Sequence, residues 1–213
     1  MKSRTWMLLA SIAVIALVVT AFYVSSNSHD VGITIKTNGT AITAVDMTSF
    51  SIIPSRMRSE IWQTSDNDLN DDRSTVDSFK SDIKAIAKKY NCTASVKIES
   101  QFGVDQLPMP ASVKGTSMVP TLQDGQSIIL LKTTDLKVGE IVVARHPTYG
   151  LIVKRLAAIN GSQVYLRSDN RQIEVIGTQT VVENGRSEVL TIEKTPLDTW
   201  LPKENVVGVV KVY

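Results

Sequence analysis

The chain has 213 residues, and its 23 Lys and Arg against 21 Asp and Glu give a formal net charge of only +2. This near balance gives no support to a nucleic-acid binder, which usually carries a basic face or stripe. The single cysteine, Cys92, excludes an intramolecular disulfide and a cysteine cluster for zinc, and His29 and His146 are too far apart for a paired metal-ligand motif. We expect no metal, no cofactor and no nucleic-acid partner.

An uncharged apolar run follows a short basic start. Residues 1–5 include Lys2 and Arg4, and residues 6–24 carry no charge. At about 1.5 Å per residue, this run reaches roughly 28 Å as a helix, close to the hydrocarbon thickness of a bilayer. The alternative is a cleaved secretory signal peptide, whose apolar region is usually about 7 to 15 residues long. We predict a retained transmembrane helix over residues 6–24, with residues 1–5 in the cytoplasm and the rest outside the cell.

Residues 25–106 predict a small α+β insertion of unknown role. Residues 31–56 alternate weakly between apolar and polar side chains, which predicts a hairpin or two short strands. From Ser74 to Tyr90, apolar residues recur at spacings of three and four, as in an amphipathic helix. The alternating "TASVKIES" that follows predicts another strand.

An acidic stretch, "SDNDLNDD", occupies residues 65–72 between these elements. Asp66, Asp68 and Asn70 alternate as the ligands of a calcium loop do, but Asp71 stands where the sharp turn of such a loop requires glycine. We therefore predict a solvated linker.

The chain becomes β-rich after "LPMP", residues 107–110. Short apolar segments alternate with turn signals, most of which contain glycine: "SIILLK", "EIVVARH", "LIVKRLAAI", "SQVYLRS" and "ENVVGVVKVY". Many short strands at near-regular spacing are typical of a barrel or sandwich. The expected fold class is a mainly β domain over residues 107–213, preceded by the α+β insertion and the N-terminal transmembrane helix.

One serine lies in a punctuated loop between two of these segments. In "KGTSMVPTLQDGQSII", residues 114–129, Ser117 is followed by Pro120 and by the Asp124-Gly125 turn signal. A hydroxyl in such a loop is either a nucleophile or a turn residue, and a nucleophile needs a base to take its proton.

Two residues are candidates for that base. His146 precedes a proline in the turn-like "RHPTYG", which favours a loop residue. Lys154 interrupts an apolar strand, where alternation puts it on the opposite face from Arg155. A lysine on the packed face has a lowered pKa, and its neutral amine can serve as the base for a serine. The alternative is a lysine whose ammonium reaches water from an edge strand.

The segments "GTSMVPTLQDGQ", "GEIVVA", "IVKRLAAI", "LRSDNR" and "LPKENVVGVV" resemble, in this order, the type I signal peptidase family of serine endopeptidases. The resemblance covers about residues 107–213. It implies that Ser117 is the nucleophile and Lys154 the general base. It argues against His146, because the histidine-using branch of the family has its histidine in the place of Lys154.

The resemblance also implies roles for neighbouring residues. Arg155 and Asp169 match positions that support the site, as an ion pair behind the lysine. Met118 matches a residue beside the substrate cleft, and Val113 and Ile152 are assigned to the same cleft.

The oxyanion hole departs from the pattern of some family members. Gly115 stands where those members have a serine hydroxyl, so the hole rests mainly on backbone N–H groups such as that of Ser117, with Thr116 or a water assisting. The serine that orients the lysine in some members has no counterpart, and the orienting group of Lys154 stays unassigned.

As a member of that family, the protein would be anchored in the cell membrane with its catalytic domain outside. Its partners would be the lipid bilayer and signal peptides of exported proteins, which present an extended segment with small residues before the cut. Three alternatives stay open. "SDN" after "VYLR", with "VKRL", also resembles the self-cleaving repressor peptidases, which share the dyad and the β fold but have no membrane anchor. The chain would otherwise be an inactive anchored β module, or an enzyme dedicated to one substrate such as a pilin or a conjugation component.

Overall fold

The computed structural model describes residues 29–50, 52–183 and 186–213. The transmembrane helix predicted over residues 6–24 lies outside these ranges. Within them, neither of the two α-helices is long and apolar enough to cross a membrane.

A four-stranded sheet and two helices form the first part of the described chain, called here the α+β part. Its elements are β1 (His29–Thr37), β2 (Ile42–Thr48), α1 (Ser55–Asn70), α2 (Val76–Lys89), β3 (Cys92–Ser100) and β4 (Gly103–Val104). The strand order is β2-β1-β3-β4, with β1 and β3 parallel and the other pairs antiparallel. The predicted strands and the helix predicted from Ser74 to Tyr90 are confirmed.

The two helices cover one face of this sheet. Alternate residues of β1, Val31, Ile33 and Ile35, are at most 2% exposed and pack with apolar side chains of both helices. α2 begins with a capping box, in which the Thr75 hydroxyl accepts the backbone N–H of Ser78 and the Ser78 hydroxyl accepts that of Thr75. The sheet therefore buries its apolar face and leaves a polar face in water.

The solvated linker predicted over residues 65–72 is wrong for most of that stretch, because α1 extends through it. One face of this helix is buried at every fourth position: Met57, Ile61, Ser65 and Leu69. A serine at one of these positions, with acidic residues on the exposed face, hid the helical period from the sequence.

The second part of the described chain, residues 108–213, is called here the β part. Its strands are β5 (Pro108–Ser112), β6 (Ser127–Leu131), β7 (Ile141–His146), β8 (Gly150–Asn160), β9 (Gln163–Arg167), β10 (Glu174–Glu183), β11 (Arg186–Lys194), β12 (Thr199–Pro202) and β13 (Val206–Val212). Seven of them form one antiparallel sheet in the order β12-β9-β8-β7-β13-β6-β5, and β10 pairs with β11 in a separate ribbon. The mainly β class and the five strands predicted from the apolar segments are confirmed, whereas β5, β10, β11 and β12 were not among those five.

The seven-stranded sheet has an apolar core on each face. Neighbouring residues of β7 point to opposite sides, so that Val142 and Ala144 enter one core while Ile141 and Val143 enter the other. A strand buried on both faces must be apolar throughout, which explains why "IVVA" carries no alternation.

Charged side chains of the β part bind the C-terminal end of α1 and the residues that follow it. Lys132 Nζ donates to the backbone oxygens of Asp68 (3.0 Å) and Asp71 (2.5 Å), and Arg145 pairs with Asp72 at 3.2 Å. Burial lowers the pKa of Lys132 to about 8, although the three aspartates favour its charged form. The loop between α1 and α2 is thus a docking point for the β part.

Gly208 lies where β13 passes so close to β6 that no side chain fits. A Cβ there would be 2.3 Å from the carbonyl oxygen of Leu131. We expect Gly208→Ala to lower the free energy of unfolding by about 1–3 kcal/mol, because the strands must separate to admit a methyl group. Urea denaturation in detergent measures this loss.

Gly177→Ala is the matched control. A Cβ at Gly177 would meet its nearest neighbour, Ile192 Cδ1, at 3.9 Å, an ordinary contact. Its unfolding midpoint should stay close to that of the wild type, and equal losses in the two variants would contradict the steric explanation.

Candidate active site

The loop between β5 and β6 is held in shape by backbone hydrogen bonds. Val113 N–H donates to Gln126 O, and Gly125 N–H donates to Val113 O, both at 2.9 Å. Gly115 has φ +82°, a conformation that favours glycine, and its N–H donates to Asp124 Oδ1 at 2.7 Å. The turn residues recognised in the sequence therefore fix the loop that carries Ser117.

Ser117 is half-buried and is held from both sides. The next residue, Met118, is fully buried, as is Leu122, whose N–H donates to Met118 O at 3.0 Å. On the other side, Asn170 donates its backbone N–H to Ser117 O (2.9 Å) and its side-chain Nδ2 to Thr116 O (3.1 Å). Ser117 thus lies on a backbone that has little freedom to move.

β8 brings Lys154 to this serine. The alternation of the strand places Lys154 on the same face as the buried Ile152 and Leu156, and Lys154 itself is only 4% exposed. Its Nζ lies 2.7 Å from Ser117 Oγ and 3.1 Å from Val153 O. Lysine and serine are therefore in direct hydrogen-bond contact.

Burial shifts the pKa of this lysine toward the neutral amine. Loss of hydration lowers the pKa of Lys154, and the carboxylate of Asp198 opposes the shift without reversing it. At a given pH, the neutral fraction of the amine is therefore larger for Lys154 than for an ordinary lysine. A neutral amine in contact with a hydroxyl can accept its proton.

Arg155 points away from Lys154 and binds Asp169. Arg155 Nε and Nη2 donate to the two carboxylate oxygens at 2.7 and 2.6 Å, and Nη1 donates to Gly139 O at 2.7 Å. Thr121 Oγ1 donates to the same carboxylate at 2.6 Å. Chiefly because of the arginine, the pKa of Asp169 is lowered. The pair links β8 to the serine loop, and its supporting role in catalysis stays a prediction.

Four further residues were assigned to the site in the sequence: Val113, Met118 and Ile152 to the substrate cleft, and Gly115 to the oxyanion hole. Val113 and Met118 lie in one core of the β part and Ile152 lies in the other, so none of them lines the cavity beside Ser117. The N–H of Gly115 is already bonded to Asp124. Their roles in substrate binding or at the oxyanion also stay predictions.

A cavity of about 490 Å³ opens beside the serine. Three chain segments and Tyr149 form its walls: Thr116, Ser117, Tyr149, Asn170, Gln172, Thr195, Pro196, Leu197 and Asp198. Residues 195–198, which join β11 to β12, were not assigned to the site from the sequence.

Asp198 fixes this segment against the loop that follows β9. Its carboxylate accepts two hydrogen bonds from Arg171 Nη1, at 2.7 and 2.8 Å, and one from Ser168 N–H at 3.1 Å. Ser168 Oγ donates to Leu197 O at 3.0 Å. The ribbon β10–β11 separates the two segments in sequence, so no local spacing signalled that they meet.

His146 lies apart from these contacts. It ends β7, accepts the N–H of Thr148 on Nδ1 at 3.1 Å, and packs its ring 4.8 Å from that of Tyr149. Over the described residues, no group of three or more His, Cys, Asp or Glu side chains is arranged to hold a metal ion.

Comparison with known protein families gives a match that includes the serine loop. A family model described as Peptidase S24-like matches residues 86–187. The matched segment includes Ser117, Lys154 and Asp169 and ends within β11, before Asp198. The comparison with curated proteins found no match.

Proposed function

We propose that the protein is a membrane-anchored serine endopeptidase that removes signal peptides from exported proteins, a proposal supported by the match of a peptidase S24-like family model to residues 86–187. In this proposal Ser117 is the nucleophile and Lys154 the general base. The observation that carries it is the 2.7 Å contact between Ser117 Oγ and the Nζ of a lysine that is only 4% exposed.

The contact supports acyl transfer through a serine–lysine dyad. Burial lowers the pKa of Lys154 and so favours its neutral amine, which takes the hydroxyl proton as Ser117 Oγ attacks the carbonyl carbon of the substrate. The resulting ammonium gives that proton to the leaving amine, and water then hydrolyses the acyl-enzyme. The backbone N–H of Ser117 stabilises the oxyanion, since that of Gly115 is bonded to Asp124.

Two free strand edges next to the dyad suit an extended substrate. β5 is the last strand of its sheet and leads into the serine loop. In β8, Gly150–Lys154 pair with β7 only, because the pairing with β9 begins at Arg155. A signal peptide with small side chains before the cut would add itself as a strand along these edges.

The proposed anchor over residues 6–24 would bring enzyme and substrate into one bilayer and raise their effective concentration. It places the N-terminus in the cytoplasm and the peptidase outside. A chain that stays in the membrane pellet after alkaline extraction supports this arrangement, whereas a soluble mature chain that begins near residue 25 contradicts it.

The cut-site residues of released products test the proposed substrate class. We expect the purified full chain to cleave a signal-peptide-bearing preprotein, and the new N-terminus to follow small residues at the first and third positions before the cut. N-terminal sequencing of the product reads this directly, with Ser117→Ala as the inactive control.

The same experiment separates the alternatives. If only the enzyme itself is cleaved, with a rate constant that does not depend on enzyme concentration, the protein is a self-cleaving peptidase. Cleavage of one preprotein out of a broad set would indicate a dedicated enzyme. No product from any preprotein would indicate an inactive module.

A further inference from the structure

One end of the α+β part lies where the chain arrives from residues 1–28. β1 begins there, and the end of β2 is its neighbour, since Gly32 pairs with Thr48 and Ser49 Oγ donates to Asp30 O at 3.0 Å. The loop that follows β2 is therefore held beside the first residues of β1.

Among the described residues, nothing packs over two apolar side chains of this loop. Phe50 is 111% exposed and Ile52 is 98% exposed, whereas no other large apolar side chain among the described residues exceeds 67%. Full exposure of two large apolar groups costs free energy in water, which burial against an apolar phase would recover.

Basic side chains surround the same end. α1 begins just after the loop and exposes Arg56, and α2 ends there with the exposed Lys88 and Lys89. The end of α2 lies near the start of α1 because β3, which follows α2, runs parallel to β1 and begins beside its first residues.

The acidic groups at this end are fewer. Asp30 is one, and Glu60 is the other, already engaged by Lys89 at 3.8 Å and by the Tyr90 hydroxyl at 2.7 Å. Basic side chains beside exposed apolar ones are the combination that favours binding at a membrane interface containing anionic lipids, on either side of the bilayer.

The opposite end of the α+β part is occupied by the β part. Lys132 binds backbone oxygens at the end of α1, and the turn between β1 and β2 is so close to Ile129 that a Cβ on Gly39 would lie 3.2 Å from that side chain. The nine residues of β1 separate the two ends by about 30 Å at roughly 3.3 Å per residue. The end that carries Phe50 is thus free of the β part.

We propose that this end, formed by Phe50, Ile52, Arg56, Lys88 and Lys89 and called here the entry surface, contacts the lipid bilayer. The apolar side chains enter the interfacial layer, and the basic ones face anionic headgroups. The inference rests on the proposed anchor: if residues 6–24 span the bilayer, the chain between residues 24 and 29 reaches at most about 17 Å.

Lipid-attached quenchers test this contact in the full chain. A fluorophore is placed by Phe50→Cys, in a Cys92→Ser background, and the protein is reconstituted in phosphatidylcholine–phosphatidylglycerol vesicles with brominated acyl chains. The matched control is Val104→Cys, because Val104 is also exposed (54%) but lies on β4, at the opposite end of the sheet. We expect a large loss of fluorescence at position 50 and none at position 104.

Two results would overturn the inference, and they differ in meaning. If the probe at position 50 is not quenched in a chain that resists alkaline extraction, the lipid contact of the entry surface is contradicted and the anchor is not. If alkaline extraction releases the chain, both the anchor and the lipid contact of the entry surface are contradicted. Cleavage of a short soluble peptide at the wild-type rate shows that the labelled chains are folded.

Discussion

Ser117→Ala should abolish cleavage of a signal-peptide-bearing substrate. We expect kcat to fall by about three orders of magnitude or more, because the covalent route through the hydroxyl is lost. Folding should be preserved, since Met118, Leu122 and the backbone hydrogen bonds of Asn170 hold the loop without the hydroxyl. Product formation is measured by electrophoresis, with unfolding curves recorded for the same preparations.

The control for this variant is Ser127→Ala, which removes an exposed hydroxyl on β6 outside the cavity. It should cleave the substrate at the wild-type rate. If Ser117→Ala retained activity within about tenfold of the wild type, Ser117 would not be the nucleophile.

The pH dependence of activity should identify Lys154 as the base. Burial lowers the pKa of this lysine, so the neutral amine becomes available below the ordinary lysine value of about 10.4. Activity should therefore rise with pH along a limb whose midpoint lies below that value. Initial rates on a short peptide, measured over a pH series, give the midpoint.

Substitutions at position 154 should separate base catalysis from simple positive charge. Lys154→Arg is expected to be as inactive as Lys154→Ala, because a guanidinium stays protonated and cannot accept the proton. Lys154→His should retain a trace of activity, because imidazole can serve as a base.

His146→Ala tests the other candidate base. It should cleave normally, since the hydrogen bond to Ser117 Oγ comes from Lys154, whereas His146 Nδ1 accepts the N–H of Thr148. An active Lys154→Arg together with an inactive His146→Ala would move the base to His146.

The sequence was sufficient for features that depend on a local period. Alternation along the strand placed Lys154 and Arg155 on opposite faces, and the structure shows that Lys154 is the one buried on the same face as Ile152 and Leu156. The amphipathic helix α2 was likewise predictable from its spacing of three and four. α1 was missed because the polar Ser65 occupies one of its buried positions.

The sequence by itself thus determined the mainly β class, most strands of the large sheet and the two residues proposed as the dyad. Only the tertiary structure decided that Ser117 and Lys154 touch, that Asp198 lines the cavity beside Ser117, and that Phe50 lies near Asp30 and Val31 at the start of β1. The physical reason is that periodicity reports the environment of one segment, whereas these contacts join distant segments. These contacts form only when the strands pair and the cores on both faces of the sheet pack. No short window of sequence contains that information.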